Sequence, residues 1–141
     1  MKAAEVYAEL SSARRLHVGC VVVKDNTIIG IGYNGMPSGW DNDCEYRNYR
    51  DLDENYQFLD EDGSHYSLKT RPEVLHAETN ALAKVARSTN SSEGASLFVT
   101  HAPCLDCAKI IHQAGINSVY YRNSYRDELG VNFLEIGRAH V

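Results

Sequence analysis

EVLHAETNALAKVA at residues 73–86 and PCLDCAKIIHQAG at residues 103–115 are the two stretches that decide the fold of this chain. The first follows Pro72 and is rich in Ala, Leu, Glu and Lys, which predicts a helix. The second predicts a buried helix from Cys104 to Ala114, with Gly115 as its C-cap. Pro103 suits its start, because an N–H there would lack a helical partner anyway. Between the two, Ser88–Gly94 reads as a polar turn and Ala95–Thr100 (ASLFVT) as a strand.

Upstream, Ala4, Tyr7 and Leu10, with Val6 and Ala13 beside them, recur at helical spacing and predict an amphipathic helix over residues 3–14. His17–Lys24 (HVGCVVVK) is β-branched and apolar, Asp25-Asn26 reads as a turn, and Thr27–Tyr33 (TIIGIGY) as the return strand of a hairpin. Asn34-Gly35 and Pro37-Ser38-Gly39 break the pattern into a loop. Residues 40–72 differ in composition, with nine acids between Asp41 and Asp62, and Tyr46, Tyr49, Tyr56 and Tyr66. They read as a long, partly irregular insertion, either functional or simply a solvated acidic surface. Downstream, Ser118–Tyr121 and Val131–Ile136 read as short strands. The pattern predicts one α/β domain over residues 1–141, with helices on both faces of a layered sheet.

Length and composition agree with a globular domain: 141 residues, 43% hydrophobic and 23% charged. A net charge of -5 disfavours a long nucleic-acid partner and favours a small ligand. No secretory signal and no membrane-length apolar run is visible, so the cytoplasm is expected. In that reducing compartment the four cysteines read as metal ligands or core residues rather than disulfides.

The chemistry is carried by His76-Ala77-Glu78 and Pro103-Cys104-Leu105-Asp106-Cys107, each opening a predicted helix. Cysteines three apart share a helical face and can grip one ion, and the helix N-terminus favours their thiolate form. His76 supplies a third ligand. Three protein ligands leave a fourth position open, the mark of a catalytic rather than a structural zinc site. One imidazole and two thiolates bring a Zn²⁺ site near zero net charge, so a nearby base is expected, and Glu78 is the candidate. Residues two apart do not share a face of a regular helix. Glu78 therefore reaches the site only if the pair sits in the first turn.

An H-x-E followed by P-C-x-x-C is the signature of zinc deaminases. With it, the chain resembles the cytidine deaminase superfamily and, within it, the deoxycytidylate deaminases. Four blocks carry the resemblance: Val18–Val23 with its following strand, GYNGMPSG at residues 32–39, HAETNA at residues 76–81, and PCLDCAKIIHQAG at residues 103–115. The resemblance implies a three-layer α/β/α fold around a five-stranded mixed sheet, and zinc-dependent hydrolysis of dCMP to dUMP and ammonia. It implies His76, Cys104 and Cys107 as zinc ligands and Glu78 as proton shuttle. Asn34, Ala77 and Tyr125 fall at substrate positions, and Asn34, Gly35, Met36, Pro37, Ser38 and Gly39 at effector positions. It further implies a homo-oligomer, often a hexamer, activated by dCTP and inhibited by dTTP, with Mg²⁺ on the effector triphosphate.

Some relatives carry a second, structural zinc. Cys44 and His65 are available for one, but Ala13, Arg14 and Arg15 occupy the stretch where its first cysteine would lie. Cys20 sits in an apolar strand and reads as core. Arg14, Arg15, Arg122 and Arg126 are candidate partners for a substrate phosphate, and ordinary surface arginines otherwise. His101 lies close enough to the metal motif to line a pocket, while His17, His112 and His140 read as structural or exposed. Asp41, Asp43 and Glu45 suit a Mg²⁺ bridging to a triphosphate. The alternatives are an RNA adenosine deaminase, a riboflavin-pathway or guanine deaminase, and a non-catalytic zinc module that senses nucleotides. The long acidic link before His76, the GYNGMPSG block and the presence of Glu78 argue against these in turn.

Overall fold

The computed structural model describes residues 1–52 and 57–136. In chain order its elements are α1 (Lys2–Ala8), β1 (Gly19–Lys24), β2 (Thr27–Tyr33), β3 (Glu45–Asn48), β4 (Gln57–Leu59), β5 (His65–Thr70), α2 (Ala77–Ala86), β6 (Ser96–His101), α3 (Leu105–Gln113), β7 (Ser118–Asn123) and α4 (Leu129–Ile136).

The hairpin forms as its sequence dictates. Lys24 pairs with Thr27, and the two residues between them, Asp25 and Asn26, hold φ of 51° and 60°. Paired left-handed residues are what a tight two-residue hairpin turn needs, and Asn and Asp tolerate them. The main sheet runs β2-β1-β6-β7, with β1 antiparallel to both neighbours and β6 parallel to β7 across α3.

Strand alternation sorts the two faces. A side chain at Gly19 would come within 1.9 Å of the Ala4 carbonyl oxygen, so α1 lies against that face. Side chains at Gly30 and Gly32 would meet Ala81 and Ala77 backbone oxygens at 2.7 and 2.2 Å, so α2 lies close against the other. There Cys20, Val22, Leu97, Val99 and Val119 pack with Ala81, Val85, Ala108 and Ile111 of α2 and α3 as one core. Helices thus flank a mixed α/β sheet.

Several expectations change. Among the described residues the central sheet has four strands rather than five, and Val131–Ile136 lies in α4 rather than in a strand. The buried positions of that segment are Gly130 and Leu134, four apart, which is helical spacing. A side chain at Gly130 would stand 2.1 Å from the Pro103 carbonyl oxygen, so α4 rests against the start of α3. The Asp127 carboxylate accepts the Leu129 N–H at 3.1 Å and caps the helix start.

The described residues of the stretch 40–72 are also more regular than expected. It forms a separate antiparallel sheet in the order β3-β5-β4. Helix α1 stops at Ala8 rather than near residue 14. The Ser11 hydroxyl donates to the Asn34 carbonyl at 2.9 Å and accepts the Ala13 N–H at 3.2 Å, which holds the chain out of a helix. Helix α2 starts at Ala77 rather than Glu73, because Leu75 exchanges both backbone hydrogen bonds with Gly35 at 2.8 and 3.1 Å. No helix among the described residues is long and apolar enough to cross a membrane.

Candidate active site

His76 is the N-cap of α2 with extended backbone, φ -81° and ψ 155°. It stands outside the helix, so Glu78 falls in the first turn and the two-residue spacing converges on one site. Cys104 is likewise the N-cap of α3, with φ -70° and ψ 170°, and Cys107 lies in the first turn after it. Both helix N-termini meet beside the carboxyl end of β6, where open α/β sheets bind ligands.

His76 Nδ1 lies 3.2 Å from Cys107 Sγ and 3.6 Å from Cys104 Sγ, and all three atoms fall within 4.8 Å of one another. Tetrahedral zinc with its usual bond lengths separates nitrogen and sulfur ligands by about 3.5 Å, so the donor set fits Zn²⁺. Among the protein groups alone, hydrogen bonds from Cys107 and then His76 lower the Cys104 pKa to about 3. The same bond to Cys104, together with burial, pushes the Cys107 thiol up. The bond to Cys104 also raises His76. The three groups thus titrate as a coupled set, and a cation binding there would displace protons from it.

Glu78 is 4% exposed, and burial raises its carboxyl above the ordinary range. It lies with His76 and Cys104 on the lining of a cavity of about 720 Å³. Asn34, His101 and Tyr125 form part of the wall, and Arg15, Lys69 and Arg126 bring positive charge to it. Ala77 lines the cavity and is fully buried. The Asn34 carboxamide also holds the preceding strand entry, accepting the Val18 N–H at 2.9 Å and donating to the Leu16 carbonyl at 2.8 Å. The Tyr125 hydroxyl accepts from Arg126 at 3.2 Å.

The other sequence candidates separate. Arg14 is bound to Asp43 at 3.0 Å and Arg122 to Glu5 at 2.7 Å, so of the four arginines Arg15 and Arg126 are the two at the cavity. Of residues 34–39 the cavity takes Asn34. Gly35 is bridged to Leu75, and Gly39 sits exposed at φ 86°. Glu45 does not serve an exterior cation: it is 1% exposed, and Oε1 accepts the Arg14 and Arg15 N–H groups at 2.8 and 3.1 Å. Asp43 is engaged by Arg14 and Arg71.

Cys44 and His65 do not form a second zinc site. Cys44 precedes the Glu45–Thr70 pair, and His65 opens β5 five residues before Thr70. That is about 16 Å along a strand. Cys20 is fully buried, as expected. His17 bonds the Ala13 carbonyl at 2.6 Å, and His112 packs edge-on to Phe133. His140 lies outside the described residues. Lys69 and Thr70 were not legible as site residues, because nothing in HYSLKT distinguishes a cavity wall from a surface strand.

A profile of the cytidine and deoxycytidylate deaminase zinc-binding region matches residues 1–123. The chain belongs to this family. It is 37% identical over 130 residues to the human deoxycytidylate deaminase, covering 90% of this chain and 65% of that protein. It is 33% identical over 126 residues to ComE operon protein 2 of Bacillus subtilis, covering 89% of this chain and 58% of that protein. The chain therefore spans less than two thirds of the length of these two relatives. The crystal structure of dCMP deaminase from cyanophage S-TIM5, in complex with dCMP and dUMP, superposes with a TM-score of 0.82. That match is 44% identical and covers 99% of this chain and 90% of the other. Within a family defined by its zinc-binding region, His76, Cys104 and Cys107 are the three-residue metal cluster found among the described residues.

Proposed function

We propose that this protein hydrolyses dCMP to dUMP and ammonia, supplying dUMP for dTMP synthesis. The carrying observation is the convergence of Glu78, His76 and Cys104 on one cavity that also holds Arg15, Lys69 and Arg126, with Cys107 completing the donor cluster beside it. Likeness to the human enzyme and to the cyanophage structure with dCMP and dUMP supports this substrate over adenosine in RNA or guanine.

Zn²⁺ bound by His76, Cys104 and Cys107 supplies the Lewis acidity that makes water a nucleophile near neutral pH. Glu78 takes the proton of the water that attacks C4 of the cytosine ring and delivers it to N3. It then takes the remaining proton from the new C4 hydroxyl and passes it to the exocyclic amine, so that the C4 carbonyl forms as the C4–N bond breaks and ammonia leaves. Its buried setting suits this work, because a carboxyl raised toward neutrality both accepts and returns a proton readily. Asn34, Ala77 and Tyr125 hold the nucleotide, and Arg15, Lys69 and Arg126 face its 5′-phosphate with charge-assisted hydrogen bonds.

Glu78→Gln tests the role: zinc and nucleotide binding persist while turnover falls by roughly 10² or more. Near-normal turnover would place the shuttle elsewhere. Substrate class is tested by comparing kcat/KM for dCMP and deoxycytidine, with dCMP far better. Equal efficiency would move the reading to a nucleoside deaminase.

The finer reading adds a homohexamer in the cytoplasm, activated by dCTP and inhibited by dTTP with Mg²⁺. Effectors bind at the loop from Asn34 to Gly39. That loop joins the cavity residue Asn34 to the exposed Gly39, where a left-handed backbone with no side chain leaves room for a phosphate.

A further inference from the structure

The geometry points to His101 as the residue that recognises the deoxyribose hydroxyl, through a ring tautomer fixed by Thr100. This rests on the dCMP reading above. Thr100 is 4% exposed and sits on the α1 face of the sheet, where its hydroxyl accepts the Gly19 N–H at 3.2 Å. The same hydroxyl lies 3.0 Å from His101 Nδ1.

An amide N–H can only donate, so the Thr100 hydroxyl is the acceptor in the first contact. Its own proton is then available for Nδ1. Were Nδ1 the donor, the hydroxyl would accept a second hydrogen and its own buried proton would lose this partner, which is the costlier arrangement. Nδ1 therefore accepts, and the proton of the neutral ring resides on Nε2. Burial lowers the His101 pKa, which favours the neutral ring.

His101 lines the same cavity as Glu78 and Arg126, and it is half-buried where Glu78 is buried and Arg126 exposed. A nucleotide with its cytosine at Glu78 and its phosphate at the cationic side places its sugar at that depth. A neutral donor suits a hydroxyl oxygen, whereas the phosphate already has three cations facing it. Nε2–H of His101 thus donates to the 3′-oxygen, and Thr100 is a positioning residue acting through it.

The test uses the zinc-loaded full-length protein with dCMP and its 2′,3′-dideoxy analogue. Long-range ¹H–¹⁵N NMR of the wild type should show His101 as the Nε2–H tautomer, and Thr100→Val should abolish that preference. His101→Phe should raise KM for dCMP about tenfold, the scale of one net hydrogen bond, with zinc content and kcat retained. It should leave the dideoxy analogue unaffected. His101→Gln, which keeps a donor, should recover most of the loss. An Nδ1–H tautomer in the wild type, or a His101→Phe penalty equal for both nucleotides, overturns the assignment while leaving dCMP deamination standing. Failure of the wild type to deaminate dCMP overturns the activity and the sugar contact together.

Discussion

At the scale of single residues, the site depends on two side chains that cap helices without following the usual capping chemistry. His76 and Cys104 occupy N-cap positions in extended conformation, where Ser, Thr, Asp or Asn would ordinarily satisfy the first-turn N–H groups. Both give up that role and turn their donor atoms toward Cys107. The low pKa of Cys104 has its largest cause in the Cys107 thiol, so the two sulfurs form one acid–base unit rather than two independent thiols. Metal binding should therefore release protons and weaken as the pH falls. Purified protein is expected to carry one zinc per chain, measured by elemental analysis, and Cys104→Ala to lose most of it. Full zinc retention in that variant would remove the ligand assignment. These ligands were legible in the sequence because their residue types and spacing are set by coordination chemistry. Glu78 was legible as the candidate base, while its reach into the same site turns on His76 lying outside the helix.

At the scale of elements, the position of α2 against β2 decides whether Glu78 enters the cavity at all. Gly30 and Gly32 alternate along β2 on the face that meets α2, and at each the helix backbone fills the space a side chain would need. Adding one methyl at Gly32 puts it 2.2 Å from the Ala77 carbonyl oxygen, in the turn that carries Glu78. Gly32→Ala is expected to cost about 1–3 kcal/mol of stability by overpacking, read from the denaturation midpoint. It should also lower kcat, because α2 must shift away from the zinc ligands. An unchanged midpoint with normal turnover would show that the close approach is not required. Most elements followed from local pattern: the hairpin, β6, α3 and β7 lie where periodicity and turn residues put them, and α2 does so from Ala77 onward. The misread segment at Val131–Ile136 has β-branched and aromatic residues in near alternation, and it is helical because Gly130 and Leu134 pack against the chain around α3, with Asp127 capping its start. The three-stranded sheet within 40–72 was hidden because its strands are short and largely polar, so pairing rather than hydrophobic alternation defines them.

At the scale of the whole molecule, the two sheets meet at the cavity. The small sheet contributes Glu45, Tyr46, Lys69 and Thr70 to its lining, and Glu45 ties that sheet to the Arg14–Arg15 backbone. The loop from Asn34 to Gly39 leads from β2 toward β3, and its first residue both lines the cavity and holds the entry to β1. A ligand seated on that loop can act on substrate affinity through Asn34 without touching the zinc ligands. Allostery requires that such a ligand bind the active and inactive arrangements with different affinity, since equal affinity shifts nothing however tight it is. At subsaturating dCMP, dCTP is expected to raise and dTTP to lower the rate, both requiring Mg²⁺. A coupling of 1–3 kcal/mol, typical of allosteric pairs, corresponds to a roughly 5–150-fold change in apparent substrate affinity. Because Glu45 and Asp43 are engaged internally, the Mg²⁺ requirement should follow the triphosphate rather than these acids, and Asp43→Asn should leave it intact. Steady-state curves with each triphosphate, with and without Mg²⁺, decide the matter. Curves that overlay in every condition would leave catalysis by Glu78 untouched and remove regulation from the Asn34–Gly39 loop.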